Sequence, residues 1–276
     1  MNFCLRCYCF QLGLSSQDFV SQRRAANDPL YNLYNYLVGI GNKKSALLFV
    51  FSSLTNISYG KSFGLIQPTT MLMTEKNLEL LLATVNTGKI IELKKLFAGL
   101  PVELRSLRDF DGITDVEETG ATFEENAILK AGSYARQTGM FALADDSGLE
   151  IAALDNRPGV MSARYAGDDT GFEEKMAKLL WELDRTGDDD RSARFVCVMA
   201  LANERGKIQF TSKGICEGMI DVKPRGSNGF GYDPIFVPTG FDRTFGELSS
   251  DIKQEIGHRG RASAIIIQYL LDFIAV

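Results

Sequence analysis

From Met73 onward the chain alternates short apolar runs with helical periods, and this order limits the fold more than any other feature. Leu80 to Val85 reads as a continuous apolar strand. "NTGKIIELKKLFAGLP" then carries Ile90, Leu93, Leu96 and Phe97 at helical spacing and closes at Gly99 and Pro101. Val102 to Leu107 alternates like a strand. Thr122 with Glu125 forms a T-x-x-E capping box that opens a helix reaching about Gln137. Met140 to Ala144 is the next strand. Thr170 with Glu173 repeats the box, and Phe172, Met176, Leu179, Leu180 and Leu183 mark one helical face. Past the loop "RTGDDDRS", the run "ARFVCVMALANERGKIQFTSKGICEGMI" predicts antiparallel strands joined at Asn203 to Gly206. The tail from Arg259 predicts a helix with Ala262, Ile265, Ile266, Tyr269 and Phe273 turned inward. Strands alternating with helices, plus a hairpin section, predict a mixed α/β (α+β) sheet with helices on its faces.

Residues 1–72 share none of this regularity. They hold Cys4, Cys7 and Cys9 and a polar mixed middle, and Met73 stands just before the first clear strand. The division expected is an N-terminal extension over 1–72, poorly ordered or dispensable, and a folded domain over 73–276. An early start codon would produce such an extension; a targeting or partner-binding arm is the alternative, without the arginine-rich regularity of a transit peptide. Cys4 and Cys7 make a C-x-x-C with no second pair at zinc spacing. Cys197 and Cys216 lie in apolar runs and read as reduced core thiols, which fits the cytoplasm.

Apolar content of 45% is that of an ordinary soluble protein, and no run is long enough for a membrane-spanning helix. The net charge of -5 offers no global attraction to nucleic acid or to an anionic membrane. A single histidine, His258, excludes a multi-histidine metal site. Any metal here takes mainly oxygen or sulfur ligands, and carboxylates favour Mg²⁺ or Mn²⁺.

Five constellations carry chemistry. In "ATVNTGK" a strand ends in Thr84, Asn86 and Thr87 before Gly88 and Lys89 open a helix. Such a helix start attracts phosphate, although an ordinary strand-to-helix cap looks alike and no Walker motif is present. "DVEETGATFEENAILKA" brings Glu117, Glu118, Glu124 and Glu125 together, more carboxylates than capping requires, with Asn126 and Lys130 on one helix face. In "MFALADDSGLE" a strand delivers Asp145 and Asp146, which strand geometry points apart unless the strand has ended. One is expected to face a site and the other to bond neighbouring backbone; a turn with two solvated aspartates is the bland alternative. "KPRGSNGFGYDPIF" offers a glycine-rich approach with Phe230 and Tyr232 able to stack on a base. "SSDIKQEIGHRGRA" holds the densest basic cluster, Lys253, His258, Arg259 and Arg261, suited to polyphosphate or to an arginine fork on a base edge. Together these are the parts of a Mg²⁺-dependent enzyme acting on a nucleoside triphosphate.

The segments "TVNTGK", "EETGATFEENAILKA", "ADDSG", "PGVMSARYAG", "GFGYDPIF" and "GHRGRA" resemble, in order and spacing, the inosine triphosphate pyrophosphatases. The resemblance covers Leu80 to Leu271. It implies an elongated mixed sheet with its site in a cleft between two lobes, a homodimer, and hydrolysis of ITP, dITP and XTP to the monophosphate plus pyrophosphate. It further implies that Thr84, Val85, Asn86, Thr87, Gly88 and Lys89 bind the triphosphate. Glu117 and Asp146 would hold Mg²⁺, with Asp146 as proton acceptor for the attacking water, and Ser147 would touch substrate. Phe230, Gly231, Tyr232 and Asp233 would hold base and sugar, Lys253 the phosphates, and His258 with Arg259 the 6-keto edge. Val85 replaces a common glycine and Gly257 a common serine, the latter a source of looser base selection. Two rival readings stay open on the residues alone: a phosphatase working through a phospho-aspartate at Asp145 or Asp146, and a nucleotide-binding module without turnover.

Overall fold

The computed structural model describes residues 78–275. The expectations for residues 1–72, the Cys4–Cys7 pair among them, lie outside that range.

Among the described residues six strands form one sheet in the order β2-β1-β3-β4-β5-β6. They are β1 (Leu78–Leu82), β2 (Val102–Ser106), β3 (Phe141–Ile151), β4 (Ser192–Ala202), β5 (Ile208–Ile220) and β6 (Phe236–Pro238). Five α-helices accompany them: α1 (Thr87–Leu96), α2 (Phe123–Thr138), α3 (Phe172–Arg185), α4 (Ser250–Ile256) and α5 (His258–Ile274). β1 pairs parallel with β2 and β3, because α1 and α2 supply the long crossovers that parallel neighbours require. β3, β4, β5 and β6 pair antiparallel in turn.

Period-two alternation sorts the strand residues onto two faces. Ala142 and Ala144 of β3, with Val198 and Ala200 of β4, meet Ala127, Ala131 and Ala135 of α2. These facing alanines bring helix and sheet close together. The opposite face presents Leu80, Leu143, Met199 and Leu201 to Leu93 and Phe97 of α1 and to Ala262, Ile266 and Leu270 of α5. Each fully buried leucine contributes about 1.5–3 kcal/mol relative to exposure. Further along β3 and β4, Leu149, Ile151 and Phe195 pack with Phe236, Phe245 and the Met176, Leu179 and Leu183 stripe of α3.

Several expectations need correcting. β3 does not end at Ala144 but runs through both aspartates to Ile151, paired throughout with β4. Counter-charges on both faces, described below, make that continuation tolerable. The Thr170 capping box does not form: Gly171 is the N-cap of α3, and the Thr170 hydroxyl donates to the Ala166 carbonyl at 2.7 Å. Ile265 and Phe273 of α5 are nearly half exposed, at 45% and 44%, while Leu270 takes a fully inward position. α4 and the short β6 had no clear sequence signal; Ser249 caps α4 by accepting from the Ile252 N–H at 3.4 Å.

The register opens the crevice that matters. β1 pairs with β3 only as far as Leu82 opposite Leu143, and the Ala83 N–H still donates to the Leu143 carbonyl at 2.8 Å. Beyond that point β3 continues along β4 with its other edge uncovered by β1, across Asp145, Asp146 and Ser147. The chain leaves β1 for α1 on one face, whereas α2 covers the other. Parallel strands whose helices part to opposite faces leave a crevice at their carboxyl ends, the usual ligand position in open α/β sheets.

Candidate active site

The crevice begins at the start of α1. Asn86 is the N-cap, its Oδ1 accepting from the Lys89 N–H at 3.1 Å, and Thr84 Oγ1 accepts from the Asn86 N–H at 3.2 Å. Val85 and Thr87 are exposed beside them. A Cβ on Gly88 would stand 2.6 Å from the Phe230 ring, so glycine is what lets that ring lie against the helix start. Lys89, one turn in, reaches Asp145 Oδ2 at 3.1 Å.

Asp145 faces the α1/α5 side and anchors a chain of alternating charges. Its Oδ2 accepts from Arg259 Nη2 at 3.0 Å and from Ser147 Oγ at 3.2 Å. Arg259 also donates to Ser147 Oγ at 2.8 Å and to Glu92 Oε2 at 2.5 Å. Glu92 in turn meets Lys253 Nζ at 2.7 Å, and Lys253 meets Asp233 Oδ2 at 2.5 Å. Burial works to raise the Asp145 pKa, but the Lys89, Arg259 and Lys130 charges prevail and hold it far below the ordinary carboxylate range. Glu92 is likewise lowered, its burial outweighed by Arg259 and Lys253. The arginine expected as an open fork is therefore already engaged by two carboxylates and a hydroxyl. Lys253, expected on phosphates, is buried between two carboxylates with its ammonium 4.5 Å over the Phe230 ring.

Asp146 faces α2. Its Oδ2 accepts from Asn126 Nδ2 at 3.1 Å, its Oδ1 from the Ser147 N–H at 3.0 Å, and Lys130 Nζ lies 3.6 Å away. Lys130 itself is closest to Glu118 Oε1, at 2.8 Å. Burial pushes the Asp146 pKa up and the Glu118 charge adds to the rise, against the lowering by Lys130, Lys89 and Asn126. The two adjacent carboxylates thus titrate in opposite directions.

The adjoining carboxylates bear on the metal. Glu117 is exposed and its side chain makes no hydrogen bond or ion pair among the described residues, whereas Glu118 shares Lys130 with Asp146. No group of three His, Cys, Asp or Glu side chains forms a metal cage among the described residues. Mg²⁺ commonly takes one or two protein carboxylates and completes its shell with water and substrate phosphate, so these oxygen donors fit it.

The "GFGYD" segment divides by burial. Phe230 and Gly231 line the crevice half-exposed; Tyr232 is turned into the core, its hydroxyl donating to the Ser162 carbonyl at 3.0 Å. Of the two rings expected to stack on a base, only Phe230 is open to the crevice. Asp233 is buried and accepts from the Phe230 N–H at 2.7 Å, which fixes the loop. His258 is buried and stacked on Phe195 at 4.7 Å, with its Nδ1 unpartnered among the described residues. Burial, then Arg259 and Lys253, lower its pKa well below the usual value, so the imidazole is neutral at pH 7.

Sequence reading missed Glu92, which bridges Lys253 and Arg259; its place three residues after Lys89 on one helix face was the available signal. It also gave no role to Glu118 or to Arg164, whose Nη1 lies 3.8 Å from Glu118 Oε2.

Comparison with known proteins bears on the same residues. The Ham1 family profile matches residues 80–269. A dITP/XTP pyrophosphatase of Bacillus cereus is 49% identical over 185 residues, covering 67% of this chain and 90% of that protein. One from Geobacter sulfurreducens is 47% identical over 191 residues, covering 69% and 96%. Among solved structures, a HAM1 protein from Coxiella burnetii superposes with a TM-score of 0.66 at 46% identity, covering 71% of this chain and 99% of that one. The Staphylococcus aureus Ham1 protein gives 0.63 at 40% identity, covering 70% and 98%.

Proposed function

The chain belongs to the Ham1 family, and on that footing we propose that it hydrolyses dITP, XTP and ITP to the nucleoside monophosphate and pyrophosphate. The observation that carries this reading is the divided aspartate pair of β3, beside the end of β1, with Asp145 held by Arg259 and Lys89 on one face and Asp146 set beside Asn126 and Lys130 on the other.

The triphosphate lies against the start of α1, where free N–H groups, the positive end of the helix and Lys89 favour negative charge. Asp146, with its raised pKa, takes a proton from the water that attacks phosphorus in the α–β linkage. The phosphorus–oxygen bond to the β-phosphate breaks, and pyrophosphate leaves with the bonding electrons. Asp146 together with Glu117 and the neighbouring Glu118 would hold Mg²⁺, or Mn²⁺ in its place, which supplies neutralisation of phosphate charge. Lys130 keeps the same carboxylates compensated, and Lys89 adds electrostatic stabilisation.

The base stacks on Phe230, and its 6-keto oxygen meets donors from His258, Arg259 or the adjoining backbone. An adenine amino group would leave those donors unpaired, at about 1–3 kcal/mol each. Ser147, bonded to both Asp145 and Arg259, links the base side to the phosphate side. The homodimer belongs to this reading through the family resemblance, and the buried free thiols Cys197 and Cys216 suit a reducing compartment such as the cytoplasm.

The test is incubation of the purified protein and Mg²⁺ with ITP, dITP, XTP, GTP and ATP, scoring pyrophosphate and orthophosphate separately. Pyrophosphate is expected, with the 6-keto, 2-amino-free substrates preferred over GTP and ATP by at least about tenfold, or about 1.4 kcal/mol. Orthophosphate as first product, or a trapped aspartyl phosphate, would refute it.

A further inference from the structure

The loop between β3 and α3 is pinned beside Asp146. A Cβ on Gly148 would collide with the Gly159 carbonyl oxygen and with Ser162 Oγ, so the loop lies directly on the strand. Ser162 Oγ accepts from the Leu149 N–H at 2.9 Å and donates to the Gly159 carbonyl at 2.6 Å. The two carbonyls preceding Arg164 are each held by a buried side chain. The Tyr232 hydroxyl donates to that of Ser162 at 3.0 Å, and Lys175 Nζ to that of Ala163 at 2.7 Å. Burying an ammonium to hold a neutral carbonyl is costly, and its effect is a fixed backbone at Arg164.

The guanidinium on that fixed backbone is uncommitted. Arg164 Nη1 lies 3.8 Å from Glu118 Oε2, beyond hydrogen-bond reach, and the side chain donates no hydrogen bond among the described residues. The other cations of the crevice differ. Lys89 lies 3.1 Å from Asp145, Lys130 2.8 Å from Glu118, Lys253 2.7 Å from Glu92 and Arg259 3.0 Å from Asp145. A half-exposed arginine held near, but not hydrogen-bonded to, the acidic cluster at Asp146 has its donors available for an anion.

We propose that Arg164 is a substrate-binding residue that grips the pyrophosphate end of the nucleotide, the β- and γ-phosphates, with its planar fork. The proposal rests on the triphosphate reading given above. When water adds to the α-phosphorus and its proton passes to Asp146, the β-phosphate oxygen leaves with the bonding pair. Arg164 stabilises the charge that accumulates there, as a bidentate guanidinium–phosphate contact does.

Calorimetric titration of the full-length protein in Mg²⁺ buffer, with pyrophosphate and separately with dIMP, tests this without requiring turnover. Arg164→Ala is expected to weaken pyrophosphate binding by about tenfold or more while dIMP affinity stays within about twofold. Arg164→Gln, which keeps the stem of the side chain, should repeat that split, and thermal melting should show both variants folded. Pyrophosphate affinity within about twofold of wild type in either folded variant, equal loss for both ligands, or no pyrophosphate binding by wild type would overturn the proposal. If wild type binds both ligands with this split but turns over no triphosphate, the hydrolytic reading fails and the arginine assignment stands.

Discussion

Asp145 and Asp146 are consecutive on β3 and bond on opposite faces of the sheet. Asp145 accepts from Arg259 Nη2 at 3.0 Å on the α5 side, and Asp146 accepts from Asn126 Nδ2 at 3.1 Å on the α2 side. The pleat separates them, and their partners then drive their titrations apart, Asp145 downward and Asp146 upward. Asp145 is thereby held as a buried counter-ion, and Asp146 is the carboxylate proposed as the base.

Their asparagine variants should therefore fail differently. Asp146→Asn is expected to keep its melting temperature and lose at least about a hundredfold in kcat, the lower range for a lost general base. Asp145→Asn leaves Arg259 and Lys89 facing an uncharged amide, so it should cost about 3–5 kcal/mol of stability. Chemical denaturation alongside steady-state kinetics checks both; a destabilised Asp146→Asn with intact kcat would reverse the assignment.

Stability against pH reports on His258, the chain's single histidine. Its folded pKa is lowered, so the folded imidazole stays neutral where the unfolded one takes a proton. Below about pH 6.5 the unfolded state then binds more protons, and stability falls as pH falls, by at most about 1.4 kcal/mol per pH unit. Asp146 has the opposite sign: its raised pKa makes its contribution one that is lost as pH rises through the folded value. Asp145 and Glu92, both lowered, contribute above the unfolded carboxylate value of about 4 and lose that contribution below it. Denaturation midpoints between about pH 7 and 5 should decline in wild type and flatten in His258→Gln; an unchanged slope in the variant would refute the role.

How much of this was legible in the sequence depends on range. Caps and apolar periods are local, so α1, α2 and the β4–β5 hairpin were readable from residues a few positions apart. β3 was cut short at Ala144 because two adjacent charges read locally as a strand end. The groups that compensate them, Arg259, Lys89, Asn126 and Lys130, come from three helices. Tyr232 looked like a stacking ring because nothing in "GFGYDP" reveals that its hydroxyl finds the Ser162 carbonyl. Glu92 and Arg164 were overlooked for the same reason, since each acquires meaning only from partners distant in sequence.

Two glycines of the site should respond differently to alanine. At Gly88 the new methyl meets the Phe230 ring, a side chain that can swing away. Gly88→Ala should keep its stability but raise KM for the nucleotide, because the ring proposed to stack the base is displaced. At Gly148 the obstacle is the Gly159 carbonyl and the bonded Ser162 hydroxyl, which cannot move without lifting the loop. Gly148→Ala should lose about 1–3 kcal/mol. Melting curves with kinetics on both variants decide it, and equal destabilisation would count against the distinction.

We also propose that residues 73–276 form the catalytic unit, since all described elements and the family match at 80–269 lie within it. A chain beginning at Met73 should match full-length kcat/KM within about twofold, measured by pyrophosphate release. A larger deficit would assign residues 1–72 to the working enzyme.

Removing divalent metal should separate chemistry from folding. Asp146 and Glu118 are already compensated by Lys130 in the fold as it stands, at 3.6 and 2.8 Å. A cation is therefore not needed to hold those carboxylates together, but the triphosphate brings further negative charge that one ammonium cannot offset. Chelation is expected to abolish pyrophosphate release while leaving the melting temperature unchanged, and Mg²⁺ or Mn²⁺ should restore turnover. A protein that melts substantially lower without metal would instead carry a structural ion, and turnover persisting through exhaustive chelation would remove the metal from the reaction.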